Sequence, residues 1–324
     1  MCTAATYVTR DHYFGRNFDL EYSYHETVTI TPRNYPFVFR RMGEQKSHYA
    51  IIGMAYVVDQ YPLYYDATNE KGLSMAGLNF PGNAVYHPER EDKDNIAPFE
   101  LIPWLLGQCA TIADVKNCLA KINLVKINYS EDLPLSPLHW MISDHDSSIT
   151  LECLSDGLHV YDNPVGVLTN NPPFEYQMFN LNNYMHVTAD HPVNRFNDQI
   201  KLERYSLGMG SIGLPGDLSS LSRFVKAVFT KVNSISGESE SESISQFFHI
   251  LDSVQQQRGC TLVREGQYEI TLYSSCCNTD QGIYYYKTYE NSQISAVHLH
   301  HEDLDGNSLI SYPLITGQQI LTQN

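Results

Sequence analysis

The chain opens with a cysteine directly behind the initiator methionine, in the run Met1-Cys2-Thr3-Ala4-Ala5-Thr6-Tyr7-Val8-Thr9, followed by the block Phe14-Gly15-Arg16-Asn17-Phe18-Asp19. If Met1 is removed, Cys2 supplies both a thiol and a free α-amino group. Because an α-amine titrates near pH ~7.7–8.0 and a free thiol near ~8.5, the two groups can exchange a proton close to neutrality. One residue can then serve as nucleophile and base without a histidine. A lone cysteine at this position also fits an ordinary strand residue.

Two charged residues, Arg16 and Asp19, lie inside an otherwise apolar and aromatic strand-like block. Burying a lone charge is costly, so such side chains pair with each other or point at something polar. A cation beside a thiol favours the thiolate, and a carboxylate can hold a terminal amine in place. A purely structural ion pair between Arg16 and Asp19 is the alternative.

Bulk properties restrict the class of protein. The 324 residues include no linker that forces a division, so we expect a single domain over residues 1–324. The acidic, serine-rich stretch 234–243 has the composition of a solvated surface loop between two helices. A formal charge of −16 argues against nucleic acid as a partner, because phosphates require clustered Lys and Arg.

The cysteines and the distribution of apolar residues indicate the cellular compartment of the protein. Seven cysteines without C-x-x-C spacing suggest neither a disulfide framework nor a zinc site, and they suit a reducing compartment. The N-terminal residues lack the pattern of a signal peptide, and no apolar run is long enough to cross a bilayer. We therefore expect a cytoplasmic protein with no membrane partner.

Periodicity predicts an α+β layered architecture. Runs rich in aromatic and β-branched residues predict strands over 4–9, 12–19, 27–31, 49–58, 73–78, 138–143, 149–154, 158–161, 165–168, 268–274, 282–289 and 293–298. Apolar spacing predicts helices over 98–108, 111–122, 221–232 and 244–254, the second opened by a capping box of Thr111 and Asp114. Turns that join neighbouring strands, rather than strand–helix alternation, indicate antiparallel sheets.

An ordered set of sequence blocks carries a family resemblance. The blocks are Met1-Cys2-Thr3, Phe14-Gly15-Arg16-Asn17-Phe18-Asp19, Asn69-Glu70-Lys71-Gly72-Leu73, Gly77-Leu78-Asn79-Phe80-Pro81, Leu138-His139-Trp140-Met141-Ile142-Ser143-Asp144, Leu168-Thr169-Asn170, and Gly213-Leu214-Pro215-Gly216-Asp217 followed by Ser222-Arg223-Phe224. Together they resemble the choloylglycine hydrolase family of N-terminal-nucleophile hydrolases, over nearly the whole chain. The resemblance implies a four-layer αββα sandwich with Cys2 at the end of a central strand, a homotetramer, and catalysis without a metal or organic cofactor.

The same resemblance assigns site residues. Arg16, Asp19 and Arg223 match the positions that poise the thiol and orient the terminal amine, and Asn79 and Asn170 match the oxyanion-hole positions. Without the resemblance, either asparagine would be read as a turn residue and Arg223 as a polar residue on a helix. Asn171 follows Asn170 directly, and we choose Asn170 because it comes after Leu168-Thr169.

The substrate prediction rests on position 79. The resemblance implies asparagine there in bile salt hydrolases and tyrosine in penicillin V acylases, so Asn79 favours a conjugated bile salt hydrolase that cleaves the amide to glycine or taurine. Penicillin V acylase or another N-acyl amidase is the alternative, and a noncatalytic β-rich carrier of amphipathic ligands is a rival of another class. A steroid requires an apolar and aromatic pocket. The predicted lining residues are Leu20, Tyr24, Tyr65, Phe80, Leu133 and Leu135.

Two other patterns are interpreted as structural. Alternation places His298 and His300 on one strand face and His301, Glu302 and Asp303 in a turn, which indicates a solvated edge without a metal. The glycine-rich stretch 208–216 lacks the Gly-Lys-Ser/Thr ending of a phosphate loop. It is interpreted as a turn-rich approach to the following helix.

Overall fold

The computed structural model describes residues 1–324. The strands are β1 (Cys2–Val8), β2 (His12–Leu20), β3 (Thr27–Thr31), β4 (Phe37–Phe39), β5 (Gly43–Gln45), β6 (Ile51–Val58), β7 (Tyr61–Asn69), β8 (Ser74–Asn79), β9 (Asp94–Ile96), β10 (Ile122–Leu124), β11 (Leu138–Ser143), β12 (Ser148–Leu154), β13 (Gly157–Asp162), β14 (Val167–Leu168), β15 (Leu262–Arg264), β16 (Gln267–Tyr268), β17 (Ile270–Asn278), β18 (Ile283–Thr288), β19 (Asn291–His298) and β20 (Ile310–Pro313). The α-helices are α1 (Leu101–Leu106), α2 (Ile112–Leu119), α3 (Phe174–Asn180), α4 (Ser220–Asn233) and α5 (Glu240–Asp252). Short 3₁₀ turns lie at Pro98–Glu100, Leu181–Tyr184, Met209–Ser211 and Leu299–His301.

Two large antiparallel sheets form the centre of the molecule. One has six strands in the order β14-β1-β2-β17-β18-β19, and the other has eight in the order β13-β12-β11-β8-β7-β6-β3-β20. Strand β1 therefore lies between β14 and β2, inside the first sheet, with Cys2 at its first position. This arrangement confirms the predicted antiparallel sheets and the predicted position of Cys2.

Helices cover the outer faces of both sheets. Helices α4 and α5 pack on the six-stranded sheet, and α1 packs on β7 and β8 of the eight-stranded sheet. A cluster of 34 buried residues joins the two sheets to α4 and α5, and a second cluster of 25 fills the space beneath α1 and α2. Each large apolar side chain that is fully buried there contributes about 1.5–3 kcal/mol. The predicted αββα sandwich is confirmed.

Capping side chains mark the starts of α2 and α5. Thr111 accepts from the Asp114 N–H, and the Asp114 carboxylate reaches back to the backbone, which confirms the predicted capping box. Ser239 and Glu242 form a second capping box at the start of α5. The prediction that residues 234–243 form a loop was therefore wrong after Ser239, because the serine-rich acidic run is itself a helix start.

Some elements differ from the sequence prediction or were missed. The helix predicted over 98–108 is a 3₁₀ turn followed by α1, which ends at Leu106. Strand β7 was missed because Pro62 interrupts its start and residues 66–69 are all buried, so the pattern does not alternate. His300 lies in a 3₁₀ turn rather than on the strand face of His298. None of the helices combines the length and the hydrophobicity that a bilayer-spanning segment requires.

Candidate active site

The main chain of Cys2 points away from strand β2. The backbone amine of Met1 donates to the Asp19 carbonyl at 3.0 Å, and the Asp19 N–H donates to the Met1 carbonyl at 3.1 Å. In an antiparallel ladder the next pair, Cys2 and Phe18, is then a non-hydrogen-bonded pair. The N–H and C=O of Cys2 therefore face the other edge of β1.

At that edge, side chains replace the missing strand. Ala4 pairs with Leu168 on β14, so a continued ladder would place Asn170 opposite Cys2. The chain turns away instead, and the Asn170 Oδ1 accepts the Cys2 N–H at 2.8 Å. The Arg223 Nη1 donates to the Cys2 carbonyl at 2.6 Å, while Nη2 donates to the Asn170 Oδ1 at 2.7 Å. Both main-chain groups of Cys2 are thus held by side chains.

Asn170 also connects Cys2 to Asn79. The Asn170 Nδ2 donates to the Asn79 carbonyl at 2.7 Å, and the second Nδ2 hydrogen has no protein partner. Asn171 points elsewhere, with its Nδ2 on the Pro81 carbonyl at 2.7 Å. Of the two neighbouring asparagines, the structure brings Asn170 to Cys2.

Arg223 is the buried cation on the helical side of β1. It stands in the first turn of α4, and its Nη1 also donates to the Thr3 Oγ1 at 2.6 Å. The same nitrogen lies 3.9 Å from Asp19 Oδ2, and Thr271 donates to Asp19 Oδ1 at 2.6 Å. Burial lowers the pKa of Arg223, and the negative charges of Asp19 and Cys2 oppose this shift. Burial raises the pKa of Asp19, and the positive charge of Arg223 opposes that shift. The buried Asp19 Oδ2 has no hydrogen-bond partner.

Arg16 lies on the opposite face of β2, between the two sheets. Its Nη1 donates to the carbonyls of Tyr65 at 2.9 Å and Gly77 at 2.6 Å, while Nε and Nη2 are buried without a partner. Although burial disfavours its charge, the neighbouring Cys2 and other acidic groups hold the pKa of Arg16 above its ordinary value. Because residues 16 and 19 point to opposite faces, Arg16 and Asp19 form no direct ion pair, which excludes the structural alternative.

Cys2 lies at the wall of a cavity of about 360 Å³ that is lined from both sheets and from the segment 132–138. Arg16, Asp19 and Asn79 also line it, so four of the six predicted catalytic residues border one space, and Asn170 and Arg223 lie behind Cys2. Most of its remaining lining is apolar or aromatic. A larger groove of about 990 Å³ beside α2 is open and half polar, and Cys2 does not reach it.

The structure places five of the six predicted lining residues at this cavity. They are Leu20, Tyr24, Tyr65, Leu133 and Leu135. Phe80 does not line it, because its ring is fully buried and stacked on His139 with 4.1 Å between ring centroids. Asn79 faces the cavity, and because side chains alternate along an extended chain, the next one points to the opposite face, into the protein.

Sequence reasoning missed several residues around Cys2. Four aromatic residues of β6, β7, the 3₁₀ turn at Pro98–Glu100 and the loop after β10 line the cavity, and these elements converge only in the fold: Tyr56, Tyr64, Phe99 and Tyr129. The Met1 ammonium contacts the Glu269 carboxylate, and burial lowers the pKa of that ammonium. Only the strand alternation of Leu63 and Tyr65 offered a local signal, and β7 had not been predicted.

Comparisons with known proteins agree with this geometry. A family model described as linear amide C-N hydrolases, choloylglycine hydrolase family, matches residues 2–312. The chain is 60% identical to the bile salt hydrolase/transferase of Lactiplantibacillus plantarum over 100% of both chains. It is 41% identical to the bile salt hydrolase/transferase of Clostridium perfringens over 96% of each.

Solved structures show the same fold. A crystal structure of a mutant conjugated bile acid hydrolase from Clostridium perfringens matches with a TM-score of 0.92 at 38% identity, covering 100% of both chains. The penicillin V acylase of Agrobacterium tumefaciens matches in fold with a TM-score of 0.75 at 18% identity, covering 96% of this chain and 90% of that one. With its fold and nearly its whole length matched, this chain belongs to the choloylglycine hydrolase family of linear amide C–N hydrolases.

Proposed function

We propose that this protein is a conjugated bile salt hydrolase that cleaves the amide bond between a bile acid and glycine or taurine, with Cys2 as nucleophile. The observation that carries the proposal is that Asn170 accepts the Cys2 N–H and Arg223 donates to the Cys2 carbonyl, beside a largely apolar cavity. The relatives named bile salt hydrolase/transferase, at 60% and 41% identity, support this choice of substrate. Asn79 supports it over penicillin V.

The first step makes the thiolate. After Met1 is removed, the Cys2 nitrogen becomes an α-amine that Asn170 Oδ1 already holds at 2.8 Å. That amine takes the thiol proton, and the unpartnered Asp19 Oδ2 is an acceptor for the resulting ammonium. Arg16, with two unpartnered buried donors on the thiol side of β2, stabilises the thiolate.

The second step is attack on the amide. The thiolate adds to the substrate carbonyl, and the oxyanion accepts from the free Nδ2 hydrogen of Asn170 and from Asn79. The Cys2 ammonium returns its proton to the departing amino acid as the C–N bond breaks, leaving a thioester. Water, deprotonated by the same amine, then hydrolyses the thioester and restores the thiol.

A substrate panel tests the proposal. Purified protein should release glycine or taurine from glycocholate and taurocholate much faster than it cleaves the linear side-chain amide of penicillin V. Strong preference for penicillin V would replace this function with that of an acylase. Mass spectrometry of the intact protein should show that Met1 is absent, and a retained Met1 would rule out the amine as base.

Alkylation identifies the reacting thiol. Cys260 is exposed and will also react with iodoacetamide, so the experiment uses a Cys260→Ala background, which we expect to keep full activity. In that background, loss of activity should match alkylation of the Cys2 peptide. Activity that survives complete Cys2 alkylation would contradict the mechanism and favour a noncatalytic carrier of amphipathic ligands.

Acyl transfer is a second candidate activity, favoured by the relatives named hydrolase/transferase. An amino acid amine that attacks the thioester in place of water forms a new amide and frees the same thiol. Incubating glycocholate with excess of a second amino acid should yield the exchanged conjugate. Its absence at high amine concentration would leave hydrolysis alone.

We also propose a homotetramer in which residues 1–324 form one domain, located in the cytoplasm. The buried cluster that joins Cys2 to Leu304 supports one domain, and seven free cysteines suit a reducing compartment. Ten large apolar side chains of the segment 176–212 are exposed, which is typical of a surface covered by other subunits. They are Tyr176, Phe179, Met185, Val193, Phe196, Ile200, Leu202, Tyr205, Leu207 and Ile212.

Light scattering measures the assembly. The tetramer should have four times the chain mass of 36.9 kDa. Changing both Phe196 and Tyr205 to Ser should yield smaller species, whereas Ile320→Ser, an equally exposed site near the C-terminus, should not. A wild-type monomer would refute the tetramer, and cell fractionation that places the protein outside the cytoplasm would refute the location.

A further inference from the structure

One fully buried histidine–carboxylate pair lies behind the site and has no part in the mechanism above. His139 on β11 and Glu152 on β12 are both completely buried. The His139 Nδ1 meets the Glu152 Oε1 at 3.0 Å, and its Nε2 meets the Thr169 carbonyl at 2.8 Å. The sequence block around His139 is part of the family resemblance, yet no role follows from it.

The partners of the ring determine where its protons lie. A carbonyl only accepts, so the bond to Thr169 requires a hydrogen on Nε2. Glu152 Oε1 also accepts the Phe174 N–H at 3.0 Å, and an oxygen that accepts two donors is best as a carboxylate; Oε2 is buried without a partner, so it has no acceptor for a carboxylic acid hydrogen. Phe80 stacks on the imidazole at 4.1 Å with a 5° angle between the rings, a contact that favours a cation. The geometry thus fits an imidazolium with N–H groups at both nitrogens.

His139 and Glu152 form hydrogen bonds to both ends of the segment Thr169–Phe174, which carries Asn170. Thr169, which precedes Asn170, is held by His139, and Phe174, which follows it, is held by Glu152. Between them the Gln177 Nε2 donates to the Asn170 carbonyl at 2.5 Å. This segment must leave the β14 ladder so that the Asn170 side chain, and not its main chain, meets Cys2. Asn170 therefore depends on contacts that the pair makes.

We propose that His139 and Glu152 are positioning residues, a buried imidazolium–carboxylate pair that holds the Thr169–Phe174 segment so that Asn170 meets the Cys2 amine. The proposal rests on the proposed function for its catalytic consequence, and its structural part stands without it. A buried ion pair usually adds little net stability compared with apolar residues. Apolar residues, however, would leave the Thr169 carbonyl and the Phe174 N–H without partners.

The variant Glu152→Gln tests the pair. An amide has one accepting oxygen and one donating nitrogen. If the amide oxygen faces His139, the buried imidazolium loses its counterion and gives up one proton, so the ring can donate to only one of its two partners. If the amide nitrogen faces His139, the Phe174 N–H meets a donor instead of an acceptor. In either orientation the continuous chain of hydrogen bonds from Thr169 through His139 to Phe174 is broken. We expect kcat on glycocholate to fall roughly 10–100-fold with KM changed less than about threefold, since small misplacement of a site group costs rate more than binding.

Glu70→Gln is the matched control. Glu70 Oε1 likewise accepts hydrogen bonds from a backbone N–H, that of Ala50 at 3.0 Å, and from a cation, Arg33 Nε at 2.9 Å, but neither donor belongs to the segment that carries Asn170. The control should keep kcat within about twofold. Equal kcat losses in Glu152→Gln and Glu70→Gln, or unchanged kcat in Glu152→Gln, would overturn the positioning role.

Two measurements separate this proposal from the proposed function. Alkylation of Cys2 by iodoacetamide should slow in Glu152→Gln by a factor similar to the fall in kcat, and this rate needs no bile salt. If wild-type protein leaves glycocholate intact, the proposed function fails while this rate still reports on the pair. Neutron diffraction of deuterated wild-type crystals should show deuterium on both ring nitrogens of His139, even if the variant does not fold. A bare Nδ1 would refute the charged pair.

Discussion

Replacing Arg223 by methionine tests the anchoring of Cys2 most directly. Methionine keeps an unbranched apolar stem but removes the guanidinium, whose four hydrogen bonds reach the carbonyls of Cys2 and Leu218 and the side chains of Thr3 and Asn170. Some acceptors keep another donor. Asn170 Oδ1 keeps the Cys2 N–H, and the Leu218 carbonyl keeps the Gln256 Nε2 at 3.2 Å.

The size of the stability loss depends on the groups that are left without a partner in Arg223→Met. The Cys2 carbonyl loses its donor, which costs about 1–3 kcal/mol for a buried acceptor. Asp19 loses the cation at 3.9 Å, and breaking a buried pair by removing one partner costs about 3–5 kcal/mol in total. Burial already raises the pKa of Asp19 and loss of the guanidinium raises it further, so the cost is limited to the extent that the carboxyl takes up a proton. We expect a loss of about 3–5 kcal/mol in the free energy of unfolding.

Urea unfolding at fixed protein concentration measures this loss, with Arg33→Met as control. Arg33 pairs with Glu70 and Asp305 while its side chain is 37% exposed, and the 8% exposed Glu70 keeps the Ala50 N–H as a donor, so the control should lose about 1–2 kcal/mol. On glycocholate, Arg223→Met should also lower kcat at least about 100-fold, because the Cys2 main chain is no longer held. Stability within about 1 kcal/mol of wild type together with half of the wild-type activity would refute the anchoring role.

Three further predictions concern the nucleophile, the oxyanion and a remote histidine. Cys2→Ala should fold with an unchanged melting temperature and show no hydrolysis, and Cys2→Ser should keep little activity because a hydroxyl is harder to deprotonate; a rate for Cys2→Ser near that of wild type would contradict the thiolate mechanism. Asn79→Ala should lower kcat about 100-fold without a loss of stability, since its side chain is exposed to the cavity; an unchanged kcat would remove Asn79 from the oxyanion site. Burial lowers the pKa of His12 from 6.5 to about 4, against the charges of Asp280 and Asp144, so the unfolded chain binds a proton in this range and the folded one does not. Stability that is fully present above pH 6.5 should fall by roughly 2–3 kcal/mol toward pH 4, and unfolding curves of His12→Asn should show a weaker pH dependence; equal slopes for both proteins would contradict this assignment.

The local hydrophobic pattern was enough to predict elements that have one buried and one exposed face. The helices α4 and α5 carry apolar stripes at helical spacing, and both were predicted within a few residues. Strand β7 is half-buried at its start and fully buried at its end, and no local rule separates such a run from a loop with an aromatic cluster. Its absence from the prediction also hid Tyr64 as a cavity residue.

Spacing along the chain indicated catalytic residues only near the N-terminus. Cys2, Arg16 and Asp19 belong to one hairpin, and their chemistry could be read from adjacent residues. Asn170 and Arg223 were assigned through family resemblance alone, since each is more than 150 residues away in sequence. The pairing of His139 with Glu152 had no sequence signal, because an isolated histidine or glutamate in a strand does not reveal its partner.

The sequence by itself determined the antiparallel strands, the two amphipathic helices and a terminal residue with both a thiol and a latent amine, because these depend on residue type and local period. Only the tertiary structure decided that Arg16 and Asp19 serve opposite faces of β2, that Phe80 turns inward, and that side chains replace a strand beside Cys2. Those features depend on ladder register and on contacts between distant segments. Register is set by the packing of the whole sheet, and a single-residue shift would reverse every face.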